Sequence, residues 1–338
     1  MPYPTSEVRV LAIRIDAHGG PEVLAVVELA EPVPGPGEVL VRHEAIGVNY
    51  VDTQHRAGAP YPVELPLIPG IEAAGQVVAT GPDAGFPREG DRVAYAGPMV
   101  GVYAELAAVP VDVLVPVPDE LTSKAAAAVL LQGMTAHVMT HDVHHGSPGE
   151  SALVHAAAGG TGSLLVQFLI QQGVTVLAST SSEEKAEYLR GIGVEHVINH
   201  RQSELAEAVR GIVPGGVDVV FDSVGRSTFE ASLRSLRPRG LIVAFGQSSG
   251  PVPPMDIARL SGLTDEGLPG SVWLTWPTLV DYNSTRDALV RRAAAVFGAV
   301  LDGTISPAIA GSLPLRRAAR AHELLEARAT TGKLLLEP

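Results

Sequence analysis

Three glycines stand close together in HAAAGGTGSLLVQFLIQQG, residues 155–173. Glycine allows turns that other residues resist, and it lets a ligand approach the backbone. An apolar, helix-like run follows at once, and the N–H groups at a helix N-terminus favour a negatively charged group such as a pyrophosphate. The glycines depart from the strict GxGxxG order, so a plain loop before a buried helix is the alternative. The stretch predicts a dinucleotide-binding turn if strand–helix units surround it.

Hydroxyl groups cluster farther along, in the segment ASTSSEEK. In sites for NAD, an acidic residue about 20 residues after the glycines binds the ribose hydroxyls. The same count from Gly159 reaches Ser179, and Ser181, Ser182 and Lys185 follow it. Hydroxyl donors and a cation suit the 2′-phosphate of NADPH, whereas the alternative is a serine-rich helix cap with Lys185 as a solvated charge. We expect NADPH as the cofactor.

Four histidines, His137, His141, His144 and His145, have spacings that place most of them on one face of a helix. Imidazoles that share a face can bind a transition metal. The commoner case is a run of surface histidines near a helix end. We therefore predict no metal site in this segment.

These residues need elements that position them, and the chain from Leu121 onward predicts alternating helices and strands. The predicted strands are SALVHAA, VTVLAST, HVINH, VDVVFDSV and LIVAFG. Apolar strands that alternate with helices indicate a parallel sheet covered on both faces. SVWLTW, residues 271–276, is expected to be the edge strand. The fold class is α/β, with a Rossmann-type doubly wound parallel sheet.

Residues 8–118 carry a different pattern, of short strands separated by proline- and glycine-rich turns. This pattern predicts a small barrel-like β domain. We expect residues 1–128 to form a catalytic domain and residues 129–270 a dinucleotide-binding domain. Residues 271–338 are expected to form the edge strand and then, through two helical segments and a short strand, LLLEP, to return to the first domain.

The composition narrows the function classes. The chain of 338 residues has a formal charge of -13, which disfavours a nucleic-acid partner because phosphate binding needs clustered cations. No apolar run is long enough to span a bilayer, and the N-terminus shows no secretory signal, so we expect no membrane insertion and a cytoplasmic location. The absence of cysteine excludes disulfides, thiolate nucleophiles and cysteine-ligated zinc.

Over essentially its whole length the chain resembles the medium-chain dehydrogenase/reductase superfamily, specifically its zinc-independent quinone oxidoreductase (zeta-crystallin-like) branch. The segments that carry the resemblance are GGPEVL, EAIGVNYVDTQHRAG, PGIEAAGQV, GDRV, HAAAGGTG, DSVG, GLIVAFGQSSG and RATTGKLLLEP, in the family's order. The resemblance implies a GroES-like β-barrel-type domain beside the Rossmann-type domain. It also implies a homodimer or homotetramer that uses NADPH to reduce a quinone or a similarly conjugated carbonyl. The apolar, β-prone segment SVWLTW at the sheet edge favours the homodimer.

The resemblance also bears on metal binding. Zinc-dependent relatives carry a cysteine ligand in the first domain and a histidine in a GHE-type motif. Here the matching segment is PGIEAAG, with Ile71 at the histidine position and Glu72 after it. With cysteine absent as well, we expect no catalytic metal, and the cofactor carries the chemistry.

Site residues follow from the same resemblance. Asn49 and Thr135 would orient the nicotinamide or the substrate, with Gln132 close to them. The remaining contacts would come from Gly159, Gly160, Thr161 and Gly162 at the pyrophosphate, from Ser181, Ser182, Lys185, His200 and Arg328 at the 2′-phosphate and adenine, and from Ser223, Phe245, Gly246 and Ser248 along the adenosine and nicotinamide walls.

Several of these residues have a structural alternative. Asn49 could be a turn residue after a strand, and Thr135 an ordinary helix hydroxyl. Arg328 could be a solvated charge near the C-terminus. In each case the alternative assigns the residue to the fold and not to the ligand.

Tyr50 and Asp52, which follow Asn49 in the sequence, are candidate proton donors. Tyr50 is the candidate donor if the enzyme is an enoyl or enone reductase, and otherwise packs in the wall of the site. Asp52 is expected to be a structural partner of Arg56 at helical spacing. A nucleotide-binding protein without turnover is a third possibility.

Overall fold

The computed structural model describes residues 9–97, 101–264 and 267–338. The N-terminal segment MPYPTSEV, on which the expected absence of a secretory signal rests, lies outside the described residues. The described chain forms two compact units. The first unit comprises the described residues up to 134 together with Asn283–Gly303 and Pro307–Pro338, and the second comprises Thr135–Tyr282 and Thr304–Ser306.

The elements of both units are numbered in chain order. The strands are β1 (Arg9–Arg14), β2 (Ala25–Ala30), β3 (Glu38–Val48), β4 (Glu72–Thr80), β5 (Arg92–Ala96), β6 (Leu106–Pro110), β7 (Val115–Pro116), β8 (Ser151–Val154), β9 (Thr175–Thr180), β10 (His196–Asn199), β11 (Val217–Asp222), β12 (Leu236–Ala244), β13 (Trp273–Thr275), β14 (Ile309–Pro314) and β15 (Lys333–Glu337). The helices are α1 (Tyr50–Ala57), α2 (Ser123–His137), α3 (Gly160–Gln171), α4 (Glu183–Gly191), α5 (Leu205–Ile212), α6 (Phe229–Ser235), α7 (Leu279–Tyr282), α8 (Arg286–Leu301) and α9 (Ala318–Glu326).

The second unit is built on a parallel sheet. Within the described residues its strands follow the order β10-β9-β8-β11-β12-β13, and every neighbouring pair is parallel. The strands are apolar because a parallel sheet is covered on both faces, and Leu153, Leu177, Val220 and Ile242 lie in its core. Because the order turns back at β8, the loops after β8, β9, β11 and β12 meet at one edge. The predicted doubly wound sheet is confirmed, with β13 as its edge strand.

The first unit is mainly antiparallel. β1 pairs with β2, and a larger sheet has the order β14-β15-β3-β4-β5-β7, with β6 also paired to β3. Val48 at the end of β3 lies opposite Leu334 of β15, and Ile46 lies opposite Ala73 of β4. The end of β3 therefore meets the beginnings of β4 and β15. The predicted β domain is confirmed.

The C-terminal segment is richer in structure than expected. Residues 277–338 were expected to hold two helical segments and one strand, and they form α7, α8 and α9 with β14 and β15. β14 escaped prediction because its sequence, IAGSLP, contains glycine and proline, which are depleted in strands. No helix in the described ranges is both long and apolar enough to cross a membrane.

Candidate active site

The glycine-rich stretch forms the turn between β8 and α3. Ala156 takes a positive φ of 47° in this turn, and Gly159 is the N-cap residue of α3, with no side chain to cap the first turn. The first N–H groups of α3 are thus placed to bind an anion. A Cβ on Gly162 would lie 2.5 Å from the Ala156 carbonyl oxygen, so only glycine lets the helix start this close to the turn. The turn contains the four residues predicted at the pyrophosphate, Gly159, Gly160, Thr161 and Gly162.

The hydroxyl cluster lies at the carboxyl end of β9. Ser182 is the N-cap of α4, and its Oγ accepts a hydrogen bond from the Lys185 backbone N–H at 3.4 Å. Glu183 pairs with Arg190 at 2.7 Å, two turns along the same helix, which directs its carboxylate away from the strand end. The helix cap and the predicted 2′-phosphate contacts, which also include Ser181, therefore lie at the same place.

A buried chain of polar groups crosses this edge of the sheet. Ser179 Oγ lies 3.4 Å from Nδ1 of both His155 and His200, because the ends of β8, β9 and β10 are neighbours. His155 Nε2 reaches Ser232 Oγ at 2.9 Å, and this hydroxyl donates to Asp222 Oδ2 at 2.8 Å. Burial lowers the pKa of His155, Asp222 partly offsets this effect, and His200 adds to it. Sequence reasoning missed His155, although a polar residue directly after an apolar strand was the available signal.

The loops after β11 and β12 pack against each other. Asp222 Oδ1 accepts hydrogen bonds from two backbone N–H groups of its own loop, at 2.8 and 3.0 Å. A Cβ on Gly246 would lie 2.7 Å from the Ser223 carbonyl oxygen. The Phe245 N–H donates to the Asp222 carbonyl at 2.9 Å, and the Ser248 N–H donates to the Ser223 carbonyl at 3.3 Å. The structure thus brings the four predicted wall residues together, and their contact with a cofactor stays a prediction.

In the first unit, Asn49 is buried and held by the protein. It follows β3 and is the N-cap residue of α1, with 4% of its surface exposed. Its Oδ1 accepts a hydrogen bond from Lys333 Nζ at 2.6 Å. Its Nδ2 donates to Glu72 Oε2 at 2.9 Å and to the Gly47 carbonyl at 3.3 Å. Both amide N–H groups are committed within the protein, which favours the structural alternative for this residue.

Glu72 and Lys333 form a buried ion pair that sequence reasoning did not place in the site. Lys333 Nζ lies 2.5 Å from Glu72 Oε2, and the two side chains are 1% and 0% exposed. A lysine opening the apolar run KLLLE was the available signal. Ile71 cannot bind zinc, the chain has no cysteine, and the Glu72 carboxylate is neutralised by an ammonium group. These residues do not fit a catalytic zinc site.

Tyr50 opens α1 and is half-buried. Burial raises the pKa of its hydroxyl, Arg328 and Arg56 lower it, and Glu326 raises it. Arg328, which has a φ of 55°, is therefore close enough to Tyr50 for its charge to act on the hydroxyl. The predicted role of Arg328 at the 2′-phosphate stays a prediction.

The expected pairing of Asp52 with Arg56 is wrong. Asp52 is fully buried, and its Oδ2 accepts hydrogen bonds from the Asn49 N–H at 2.8 Å and from the Tyr103 hydroxyl at 3.1 Å. Arg56 instead bonds Glu326 at 2.6 Å. The helical spacing places the two residues one turn apart, but each of them is bonded to a residue from a distant part of the chain, Asp52 to Tyr103 and Arg56 to Glu326. Burial raises the pKa of Asp52 to about 7.

Gln132 and Thr135, two of the predicted nicotinamide contacts, lie about one turn apart on α2. Gln132 Oε1 is buried and has no hydrogen-bond partner among the described residues. A buried acceptor of this kind is normally satisfied, so a donor on a bound ligand would complete it. Its contact with the nicotinamide stays a prediction.

The histidine run continues α2 as a π-helical turn, Val138–Val143. His137 and His141 are half-buried and stack with a ring separation of 4.0 Å, and both contact the Phe168 ring edge-on. In the part of the chain that the structure describes, no group of three or more His, Asp or Glu side chains is placed to hold a metal. The two histidines thus pack against an aromatic ring.

Comparisons with known proteins cover both units. Residues 35–119 match the alcohol dehydrogenase GroES-like domain family, and residues 160–284 match the family described as zinc-binding dehydrogenase. The chain is 40% identical to a 2-haloacrylate reductase of Burkholderia sp., over 97% of this chain and 99% of the relative. It is 38% identical to quinone oxidoreductase 1 of Escherichia coli, over 97% of this chain and 100% of the relative.

Solved structures agree with these relatives. The structure of Escherichia coli quinone oxidoreductase complexed with NADPH has a TM-score of 0.92 and 37% identity, over 97% of this chain and 100% of that one. A mycobacterial protein complexed with NADPH also has a TM-score of 0.92, with 42% identity over the same shares. The chain therefore belongs to the quinone oxidoreductase (zeta-crystallin-like) branch of the medium-chain dehydrogenase/reductase superfamily.

Proposed function

We propose that this protein reduces quinones with NADPH. The observation that carries the proposal is the β8–α3 turn, where Gly159 leaves the first N–H groups of α3 without a side-chain cap. The end of β9 adds hydroxyls and Lys185 where an NAD site would carry a carboxylate. Two similar proteins of known structure are complexes with NADPH. The dinucleotide fits these residues.

The contacts of the cofactor are assigned on the same basis. Bound NADPH supplies the hydride, and the protein binds, orients and shields it. In the second unit we assign Gly159, Gly160, Thr161 and Gly162 to the pyrophosphate, Ser181, Ser182, Lys185 and His200 to the 2′-phosphate and adenine, and Ser223, Phe245, Gly246 and Ser248 to the walls of the site. Thr135 and Gln132 are assigned to the nicotinamide.

Quinone reduction does not require a side chain that acts as a general acid toward the substrate. A reduced quinone takes its protons from water, so no side chain has to deliver one to carbon. Asn49 is locked by protein partners and Asp52 is fully buried. Neither is placed to donate a proton to a substrate, and the protein's task is to hold the ring and the acceptor in line.

A panel assay tests this function. Purified protein is mixed with NADPH or NADH and a series of benzoquinones and naphthoquinones, and the loss of absorbance at the reduced nicotinamide band is followed. We expect turnover with NADPH and several quinones. NADPH binding without turnover by any quinone or conjugated alkene would support a nucleotide-binding protein instead.

Reduction of an activated carbon–carbon double bond is the second candidate. It is favoured by the similarity to the 2-haloacrylate reductase and by Tyr50, a half-buried residue at the start of α1 whose phenol is protonated at neutral pH. If Tyr50 delivers that proton to carbon, Tyr50→Phe should remove over about 99% of activity, the loss typical of a positioned general acid. For a quinone reductase we expect Tyr50→Phe to keep most activity with quinones, while 2-chloroacrylate is a poor substrate of both forms.

We also propose that the enzyme works as a homodimer in the cytoplasm. β13 is the edge strand of the parallel sheet, and Trp273, Leu274 and Trp276 are 69%, 42% and 42% exposed. An edge strand with exposed apolar side chains favours pairing with a second copy.

A further inference from the structure

Lysine is rare in this chain, and one lysine is buried. The three lysines are Lys124, Lys185 and Lys333, and arginine carries the rest of the positive side-chain charge apart from histidine. The side chain of Lys333 is 1% exposed, and its ammonium group bonds Glu72, which is 0% exposed. Because neither group reaches solvent, neither can bind the substrate.

Stability is a weak explanation for this pair. Removing two charges from water costs free energy that their mutual attraction often fails to return. Replacing a buried ion pair by neutral residues of similar size is therefore often neutral or stabilising. A role in fixing geometry is more consistent with the hydrogen bonds that the pair makes.

One side of the pair fixes the end of β3. Lys333 Nζ donates to Asn49 Oδ1 at 2.6 Å, and Asn49 Nδ2 donates to Glu72 Oε2 at 2.9 Å. The cation faces the amide oxygen and the anion faces the amide nitrogen, so the pair permits a single orientation of the amide. Since Asn49 is the N-cap of α1, this orientation sets where Tyr50 begins the helix.

The other carboxylate oxygen reaches α2. Glu72 Oε1 accepts a hydrogen bond from the Leu131 N–H at 2.7 Å, next to Gln132. The approach depends on Gly47, because a Cβ there would lie 2.5 Å from Glu72 Oε2 and 2.8 Å from the Ala127 carbonyl oxygen. A single carboxylate thus joins the strand end that carries Asn49 to the helix that carries Gln132.

We propose that Glu72 and Lys333 are positioning residues for hydride transfer. They hold the start of α1 and the Leu131–Gln132 turn of α2 in one fixed arrangement, so that groups on both elements meet the nicotinamide and the acceptor in reactive geometry. The inference rests on the proposed NADPH-dependent reduction. A displacement of about 1 Å at reacting groups can cost on the order of 100-fold in rate, which gives the pair a function that stability does not.

The test is the double variant Glu72→Gln/Lys333→Met, which removes both charges, keeps an acceptor for Leu131 and nearly conserves volume. Asp218→Asn/Arg237→Met is the matched control, because that pair, at 2.6 Å, lies where β8 and β11 begin, away from the glycine-rich turn. For each protein we would measure the melting temperature, kcat and KM with a quinone, and the inhibition constant of adenosine 2′,5′-bisphosphate. The emission of bound NADPH reports the nicotinamide environment without any acceptor.

The expected result separates positioning from folding. The Glu72/Lys333 double variant should melt close to the wild type and keep its inhibition constant, while kcat falls at least about tenfold and the emission of bound NADPH changes. The control should keep its kcat. A kcat of the double variant within about twofold of the wild type would overturn the inference. So would a loss of kcat that matches the fraction of the double variant that is unfolded, because folding would then explain the whole loss. If the wild type reduces no acceptor, the proposed function fails, while an unchanged emission of bound NADPH in the double variant would still count against positioning.

Discussion

At the scale of the residue, the buried polar side chains at the start of α1 have partners from distant parts of the chain. Asn49 is a predicted nicotinamide or substrate contact, but its amide is bonded to Lys333, 284 positions away in sequence, and to Glu72. Asp52 was expected beside Arg56, and it bonds Tyr103 instead. Local spacing finds neighbours on a helix, whereas burial selects partners from the whole chain. The positions of the glycines and the hydroxyls were predictable because each group directly follows its own strand, β8 or β9.

Lys185 provides a prediction on cofactor choice. We expect NADPH to be preferred over NADH by at least about tenfold, equivalent to about 1.4 kcal/mol, since the 2′-phosphate is an anion and Lys185 lies in the first turn of α4 beside the hydroxyl cluster. Lys185→Ala should raise the KM for NADPH and leave the KM for NADH nearly unchanged. Lys124→Ala is the control, because this exposed lysine belongs to the first unit. Equal losses with both cofactors would assign Lys185 to the fold.

Asp52 provides a prediction on pH. Its pKa is raised to about 7 by burial, against about 3.9 in an unfolded chain. The folded state therefore holds the proton more tightly, and stability due to this group falls as pH rises from about 4 to about 7. The loss is on the order of 4 kcal/mol. Asp52→Asn should remove this step while keeping an acceptor for Asn49 and Tyr103.

Denaturant unfolding at a series of pH values would measure the Asp52 effect as the difference between variant and wild type. Burial lowers the pKa of His43 to about 4, so its contribution to the stability of the protein is lost on acidification, in the opposite direction. This contribution is the same in variant and wild type and cancels in the difference. Exposed Asp112→Asn serves as the control. A difference that is flat from pH 4 to 7 would show that Asp52 titrates normally.

At the scale of the element, periodicity predicted the second unit well. Apolar strands separated by helices of ordinary length identify β8 to β13, and β8, β9 and β11 are buried along all or most of their length. The π-helical turn after α2 was not foreseen, since its sequence continues the helical pattern without a break. β14 was missed because parallel pairing with β15 overrides its weak strand propensity. Long-range pairing was the missing information for β14.

The edge strand β13 provides a prediction on assembly. A homodimer at micromolar concentration is expected, because Trp273 is 69% exposed on a strand that forms one edge of the parallel sheet among the described residues. Trp273→Asp should shift the protein to monomers in sedimentation equilibrium, since a charge at the edge opposes pairing. Val33→Asp, at an 83% exposed valine of the first unit, should remain dimeric. A wild type that is monomeric would contradict the assignment of the interface.

At the scale of the whole molecule, the composition excludes several classes of function. The absence of cysteine excludes thiolate nucleophiles and cysteine-ligated zinc, and the charge of -13 disfavours a nucleic-acid partner. The first unit includes Asn283–Gly303 and Pro307–Pro338, which follow the second unit along the chain. That return explains how Lys333 comes to lie beside residues near position 50, a contact that no local pattern reveals.

Metal independence is the prediction for the molecule as a whole. Exhaustive chelation, checked by elemental analysis, should leave NADPH oxidation intact, because Ile71 offers no ligand and Glu72 is paired with Lys333. The chelator-treated enzyme supplemented with zinc is the comparison sample. Activity that disappears on chelation and returns with zinc would sink the prediction.

The place of β15 in the first sheet has a consequence for biosynthesis. β15 lies between β14 and β3, yet it is made after the whole of the second unit. On the ribosome, where domains fold as they emerge, the second unit can close while the end of β3 still lacks its partner strand β15. The sheet of the first unit is therefore completed only after β15 has been made. Until then, the apolar strands of this unit are the part of the nascent protein that a chaperone would have to shield longest.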